Sequence, residues 1–142
     1  MESLPISHLS QVISQSVAPA FILGALAGFI GVLVTRLNRI IDRCRLLAGS
    51  DQNQRAPGLG GADFGTLNAR ANLINMALFW AVASALVTLL LIIVAFADAL
   101  LELPHEKGAS LLFIVALLLF GASLVNFGRE IRIALKDPNN FD

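Results

Sequence analysis

The amino-acid sequence predicts an all-α integral membrane protein with three transmembrane helices. Hydrophobic residues make up 56% of the chain and charged residues only 14%, whereas an average soluble domain has about 25% charged residues. The hydrophobic residues form long blocks, which is the pattern of membrane spans. A span needs about 20 apolar residues to cross roughly 30 Å of hydrocarbon. The length of 142 residues allows one membrane domain, 1–142.

The first 48 residues predict an interfacial segment followed by a long helix. Residues 1–18 have no Lys or Arg, and their apolar residues recur at spacings of three and four, at Ile6, Leu9, Ile13 and Val17. This pattern predicts an amphipathic helix in the membrane interface rather than a cleaved signal peptide. We expect Pro19 either to kink this helix or to begin the first span. Residues 19–48 are then span 1 with a cytosolic extension.

The remaining segments alternate between loops and spans. Residues 49–65 are rich in Gly and predict a flexible cytosolic loop. A helix is expected to start near Thr66. The other predicted segments are span 2 (66–97), whose helix also extends into the cytoplasm, an external loop (98–108), span 3 with a cytosolic end (109–135) and a tail (136–142).

The distribution of basic residues predicts the orientation in the membrane. The connection between spans 1 and 2 holds six Lys or Arg residues and the C-terminal end holds three, whereas the N-terminus holds none and the second connection one. Positively charged residues accumulate on the cytoplasmic side of membrane proteins. We therefore expect the N-terminus outside and the C-terminus in the cytoplasm.

One face of the first helix carries small residues and then polar ones. Advancing about 100° per residue places this face within about 40° of one line, and its members are Gly24, Gly28, Gly31, Thr35 and Asp42, with Asn38 beside them. Small residues let helices approach closely in a membrane. Three roles stay open: packing within the chain, a seam between subunits, or the wall of a pore.

Polar residues also cluster at the predicted cytoplasmic ends of all three spans. Besides Thr35, Asn38 and Asp42 they comprise Arg39, Asn68, Arg70, Asn72, Asn75, Ser123, Asn126, Arg129 and Glu130. Buried polar groups at one depth must satisfy one another, which predicts a polar network. The alternative is ordinary solvation at the membrane interface, with the arginines reaching to the head groups. Other arginines near the spans are expected to contact lipid head groups: Arg36, Arg43, Arg45 and Arg132.

Four sequence segments resemble a family of small bacterial membrane proteins with three spans, catalogued as a domain of unknown function (DUF 2721). They are SQVISQSVAPAF, RLNRIIDRCRLL, ARANLIN and FGREIRIAL. The resemblance covers nearly the whole chain. It implies three-span topology and bacterial origin, and it supplies no activity and no catalytic residues.

Residues with typical catalytic or metal-binding chemistry are sparse and isolated. Cys44 lies on the apolar side of its helix, which favours packing over a reactive thiol. His8 and His105 lack the spacing of metal ligands. The acids at 98, 102 and 106 are more simply explained as a solvated negative face than as a cation or acid–base site. We expect no catalytic residues, no metal site, no cofactor and no enzymatic activity.

These observations lead to two functional hypotheses. The first is a non-enzymatic bacterial inner-membrane protein, a homo-oligomeric structural or accessory subunit of a membrane complex. The alternative is an oligomeric ion channel or small-solute pore lined by the small and polar face of helix 1. The expected partners are the lipid bilayer and either further copies of the chain or a larger membrane complex, and not nucleic acid, because the net charge is zero.

Overall fold

The computed structural model describes residues 6–50, 60–101 and 106–136, and throughout these ranges the chain is α-helical. Helix α1 spans Ile6–Ser50, α2 spans Gly60–Leu101 and α3 spans Glu106–Lys136. Each contains a segment long and apolar enough to cross a membrane, at Ile13–Gly49, Phe64–Asp98 and Gly108–Lys136. The prediction of an all-α chain with three such helices is confirmed.

Two helix boundaries differ from those expected from the sequence. Helix α1 is continuous from Ile6 and contains Pro19 within it, so the proline does not separate the N-terminal segment from the first span. Helix α2 begins at Gly60 instead of near Thr66. Glycine costs a helix about 1 kcal/mol relative to Ala, and within the additional segment Phe64 is half-buried, a tertiary contact that offsets this cost.

Several segments discussed above lie outside the described residues. They are 1–5, 51–59 in the Gly-rich loop, 102–105 with His105, and 137–142 in the tail. The side chains of His8 and Glu106 also lie outside the described part of the structure.

Helix α2 lies between α1 and α3 and packs against both. The side chains that join α2 to α3 define an antiparallel register, since Arg70 meets Glu130 and Ser84 meets the carbonyl of Ala116. Helix α1 is parallel to α3, because Phe29 contacts Phe120 and Arg36, seven residues further along α1, meets Glu130, ten residues further along α3. Helices α1 and α3 touch mainly through such long side chains.

Buried residues recur at intervals of seven along each helix. In α1 they include Leu26, Leu33 and Ile40; in α2 they form two interleaved series, Leu67, Ile74, Ala81 and Thr88 with Arg70, Ala77, Ser84 and Leu91; in α3 they include Ala116, Ser123 and Glu130. A seven-residue repeat of buried positions is the pattern of left-handed coiled-coil packing. The three helices therefore keep the same faces in contact over their length.

The α2–α3 interface is built from small residues. Ala77 and Ser84 of α2 face Ser123 and Ala116 of α3, and all four are fully buried. The Ser84 hydroxyl donates a hydrogen bond to the Ala116 carbonyl at 2.8 Å, and the Ser123 hydroxyl donates to the Ala77 carbonyl at 2.6 Å. Small side chains and hydrogen bonds between helices drive association where lipid removes the hydrophobic term. These two bonds fix the register of α3 against α2.

The α1–α2 interface is an aliphatic core. Leu26, Leu33 and Ile40 of α1 belong to one buried cluster whose α2 members are Leu67, Ile74, Ala77 and Ala81. Close packing of such side chains is typical of protein interiors. On the side towards α3, the Phe29 ring packs edge-on against two Phe rings at centroid distances of 5.7 and 5.4 Å. Helix α1 is thus held by α2 along its length and by α3 through aromatic contacts.

Candidate functional site: a buried glutamate between two arginines

A single carboxylate joins all three helices at one end of the bundle. Glu130 of α3 is fully buried. Its Oε2 accepts a hydrogen bond from Arg36 Nη1 of α1 at 2.8 Å. Its Oε1 accepts a hydrogen bond from Arg70 Nε of α2 and lies 3.1 Å from Arg70 Nη2. We call Arg36, Arg70 and Glu130 the ionic cluster, and the end of the bundle where they lie the basic end.

The two arginines of the ionic cluster differ in their access to solvent. The Arg70 side chain is 10% exposed and the Arg36 side chain is 40% exposed. The Arg36 guanidinium also lies over the Phe127 ring, 5.2 Å from its centroid, within the range of a cation–π contact. Within the described ranges, every buried side-chain nitrogen and oxygen has a hydrogen-bond partner. The buried atoms of the cluster are therefore all hydrogen-bonded, and the cluster consists of one deeply buried pair, Arg70–Glu130, and one pair, Arg36–Glu130, whose arginine is open to solvent.

A cleft of about 200 Å³ opens beside the ionic cluster. Its walls combine the cluster with further residues of α1 and α3, namely Arg39, Ile40, Arg43 and Ala134. The α1 residues among them fall at helix spacings of three, four and seven from Arg36, so they share one side of the helix. The lining carries four guanidinium groups and one carboxylate, which makes this cleft strongly basic.

The ionic cluster lies where the uncharged runs of the three helices end. Helix α1 has no Asp, Glu, Lys or Arg before Arg36, and α2 has none between Arg70 and Asp98. In α3 the uncharged run from Gly108 ends at Arg129, next to Glu130. Because the helices pack in the register described above, these boundary charges meet at one level.

The small face of α1 points away from the bundle. Gly24, Gly28 and Gly31 are exposed, and a Cβ built at any of them would have no atom of the described chain within 4 Å. The buried series of Leu26, Leu33 and Ile40 lies about 150–170° around the helix from this face. The glycines therefore do not pack within the described chain. The polar continuation of the face is also exposed, and it comprises Thr35, Asn38 and Asp42.

The polar residues predicted to form a network are placed in different surroundings. The structure brings Arg70 and Glu130 together, with Arg39 at the adjacent cleft. Ser123 is buried further along the α2–α3 interface, and the Asn126 amide donates to the Ala122 carbonyl of its own helix. The remaining members lie on exposed surfaces: Asn68, Asn72, Asn75 and Arg129.

The arginines expected at lipid head groups also fall into two groups: two lie at the ionic cluster or its cleft, and two lie elsewhere on the surface. Arg36 binds Glu130 and Arg43 lines the cleft, whereas Arg45 and Arg132 are exposed. Cys44 is half-buried against the α1–α2 core. In the described part of the chain, no group of three or more His, Cys, Asp and Glu side chains is arranged to hold a metal ion.

Sequence reasoning missed the Arg36–Glu130 pair and the buried hydroxyls of Ser84 and Thr88. The Thr88 hydroxyl donates to the Ser84 carbonyl at 2.8 Å. The signal that could have located these residues is a seven-residue interval. On α2 it relates Arg70, Ala77 and Ser84, and on α3 it relates Ser123 and Glu130. Reading this repeat across two helices would have placed the serines and the charges on facing surfaces.

The family comparison covers most of the chain. Residues 16–139 match the family described as "Protein of unknown function (DUF2721)". The chain belongs to this family. The matched DUF2721 region contains the whole ionic cluster and the small face of α1, and the resemblance predicted from the sequence is confirmed. Comparisons with curated proteins and with solved structures gave no match.

Proposed function

We propose that this protein is a non-enzymatic, multi-pass membrane protein that self-associates through the small face of α1 and acts as a structural or accessory subunit. The observation that carries the proposal is the exposure of Gly24, Gly28 and Gly31 on the side of α1 opposite the core. Their spacing places small residues one helical turn apart, and such faces allow two helices to approach closely in lipid.

The neighbouring side chains support a contact with another helix. The Thr35 hydroxyl donates to the Gly31 carbonyl at 2.9 Å, so it needs no partner from water in this position. Exposed Val32 lies beside the glycines and supplies apolar contact area. Packing of small residues with an aliphatic neighbour is a common basis of helix association in membranes.

The proposed location is the inner membrane of a bacterium, with the N-terminus outside and the C-terminus in the cytoplasm. Nine Lys and Arg residues flank the spans on one side and one on the other. Most of the nine lie at or near the basic end of the bundle, which would then face the cytoplasm. The ionic cluster would hold the helices together at this level.

The experiment is sedimentation equilibrium in density-matched detergent with a matched pair of glycine substitutions. Gly28→Leu should shift the protein towards monomer, because a large side chain holds the facing helices apart. Gly121→Leu on α3 is the control, since its Cβ also meets no atom of the described chain within 4 Å, and it should leave the assembly intact. Both changes replace Gly by a better helix former, so loss of helix does not explain a difference. Equal masses for Gly28→Leu and wild type would overturn the proposal.

The alternative is a pore lined by the same face. It is favoured only by the exposed polar continuation of the face, which includes Asn38 and Asp42. A pore predicts that Gly28→Leu leaves the mass unchanged and alters ion or solute flux in liposomes. A seam predicts loss of assembly.

A further inference from the structure

We infer that the basic cleft between α1, α2 and α3 is a binding site for a phosphate group. This inference does not rest on the proposed self-association, because the α1 residues of the cleft are centred about 100° around the helix from the glycine face, with Arg39 nearest to that face. It rests on the composition of the cleft, on its size and on its level along the bundle.

The cleft holds more positive charge than its own carboxylate neutralises. Glu130 accepts hydrogen bonds from Arg36 and Arg70. Arg39 also lines the cleft, and in the described part of the chain no carboxylate lies within ion-pair distance of it. Without counting Arg43, the lining has three guanidinium groups, those of Arg36, Arg39 and Arg70, and one carboxylate. The cleft therefore retains an excess of positive charge that an anion would neutralise.

The arginines of the cleft retain unused donors. A guanidinium has five N–H donors in a planar fork that matches carboxylate and phosphate oxygens. Arg36 uses one donor on Glu130, and Arg70 directs its Nε and Nη2 to the other oxygen. Because Glu130 holds both guanidinium groups in place, little side-chain freedom is lost when an anion binds. Charge-assisted bonds of this kind are about twice as strong as those between neutral groups.

The volume of the cleft favours a small anionic group over a large apolar ligand. It measures about 200 Å³, below the roughly 300–1,000 Å³ of pockets that enclose drug-sized molecules. Its lining contains only two apolar residues, Ile40 and Ala134. A single phosphate group with part of its ester fits this size and this polarity.

The level of the cleft coincides with the end of the uncharged runs, where phospholipid head groups lie if these helices span a bilayer. The phosphate group is therefore supplied either by an anionic phospholipid or by a soluble phosphate. The same guanidinium groups would bind both. The experiment below separates these two sources.

The test compares Arg39→Gln with Arg45→Gln by native mass spectrometry of the full chain in neutral detergent. Both arginines are exposed on α1, but only Arg39 lines the cleft. Phosphatidylglycerol is titrated as the anionic lipid and phosphatidylcholine as its zwitterionic counterpart. In parallel, inorganic phosphate is compared with chloride at equal ionic strength by thermal unfolding. The same spectra report the mass of the assembly, so a loss of binding is distinguished from a loss of self-association.

Wild type should bind phosphatidylglycerol in preference to phosphatidylcholine, and Arg39→Gln should weaken this binding about fivefold, as expected for the loss of one arginine beside an anionic lipid. Arg45→Gln should bind like wild type. Stabilisation by inorganic phosphate with the same dependence on Arg39 would support a soluble source instead. Equal binding of the two lipids without an effect of phosphate, or equal losses in the two variants, would overturn the inference.

Discussion

Removing the carboxylate of Glu130 tests the ionic cluster most sharply. The change Glu130→Ala leaves the Arg70 guanidinium, whose side chain is only 10% exposed, without its negative partner. Breaking a buried ion pair from one side costs about 3–5 kcal/mol, because the remaining charge stays buried and uncompensated. The change Arg36→Gln should cost less, about 1–2 kcal/mol. Glu130 then loses the hydrogen bond that Arg36 donates. Because the Arg36 side chain is 40% exposed, water can donate in its place.

The free energy of unfolding is measured in micelles by titration with sodium dodecyl sulfate, followed by far-ultraviolet circular dichroism. The exposed residue Arg132 on the same helix supplies the control, since Arg132→Ala should change stability by no more than about 0.5 kcal/mol. The double change Arg70→Leu with Glu130→Leu should recover most of the loss, because apolar side chains replace a buried pair at little cost. The reasoning is refuted if Glu130→Ala lowers the free energy of unfolding no more than Arg132→Ala does. It is also refuted if the double variant loses as much stability as Arg70→Leu and Glu130→Leu added together.

Three further predictions concern the helix interfaces and the topology. Ser123→Ala removes the hydrogen bond to the Ala77 carbonyl and should lower the free energy of unfolding by about 0.6 kcal/mol, the average for such bonds between membrane helices, in the same titration. Phe29→Leu loses two edge-on ring contacts and should cost about 1–3 kcal/mol. A loss equal to that of Phe21→Leu, at a residue that is 77% exposed, would contradict this. A fluorescent protein fused after the C-terminus should fluoresce in bacterial cells, and alkaline phosphatase fused there should be inactive, because nine of ten basic residues predict a cytoplasmic C-terminus. The opposite pattern would reverse the orientation.

The three long helices were predictable because their signal is local. Each apolar block is long enough to span a bilayer by itself, and the charges that border it mark its ends. The boundaries were less predictable. The glycines before Phe64 indicate a loop, but α2 begins at Gly60, and Phe64 in this additional segment is half-buried. The low helix propensity of glycine therefore does not decide where this helix begins.

The pairing of side chains between helices could not be predicted from one helix at a time. The glycine face was visible from the sequence, since an angle around one helix defines it. Whether that face meets α2 or points outward depends on which side of α1 packs against α2. In the structure that side carries Leu26 and Leu33, which are buried in a cluster with α2 residues. Arg36 likewise has several favourable environments, and only the register of α3 brings Glu130 within 2.8 Å.

The mass of the complex extracted gently from membranes, measured by native mass spectrometry with lipids retained, tests the central proposal most directly. Self-association through the small face of α1 predicts a discrete multiple of 15.1 kDa, with any bound lipid as additional mass. A monomer of 15.1 kDa would contradict the proposal. A mass that contains one copy of this chain with other proteins would also contradict it, and would assign the glycine face to a different partner.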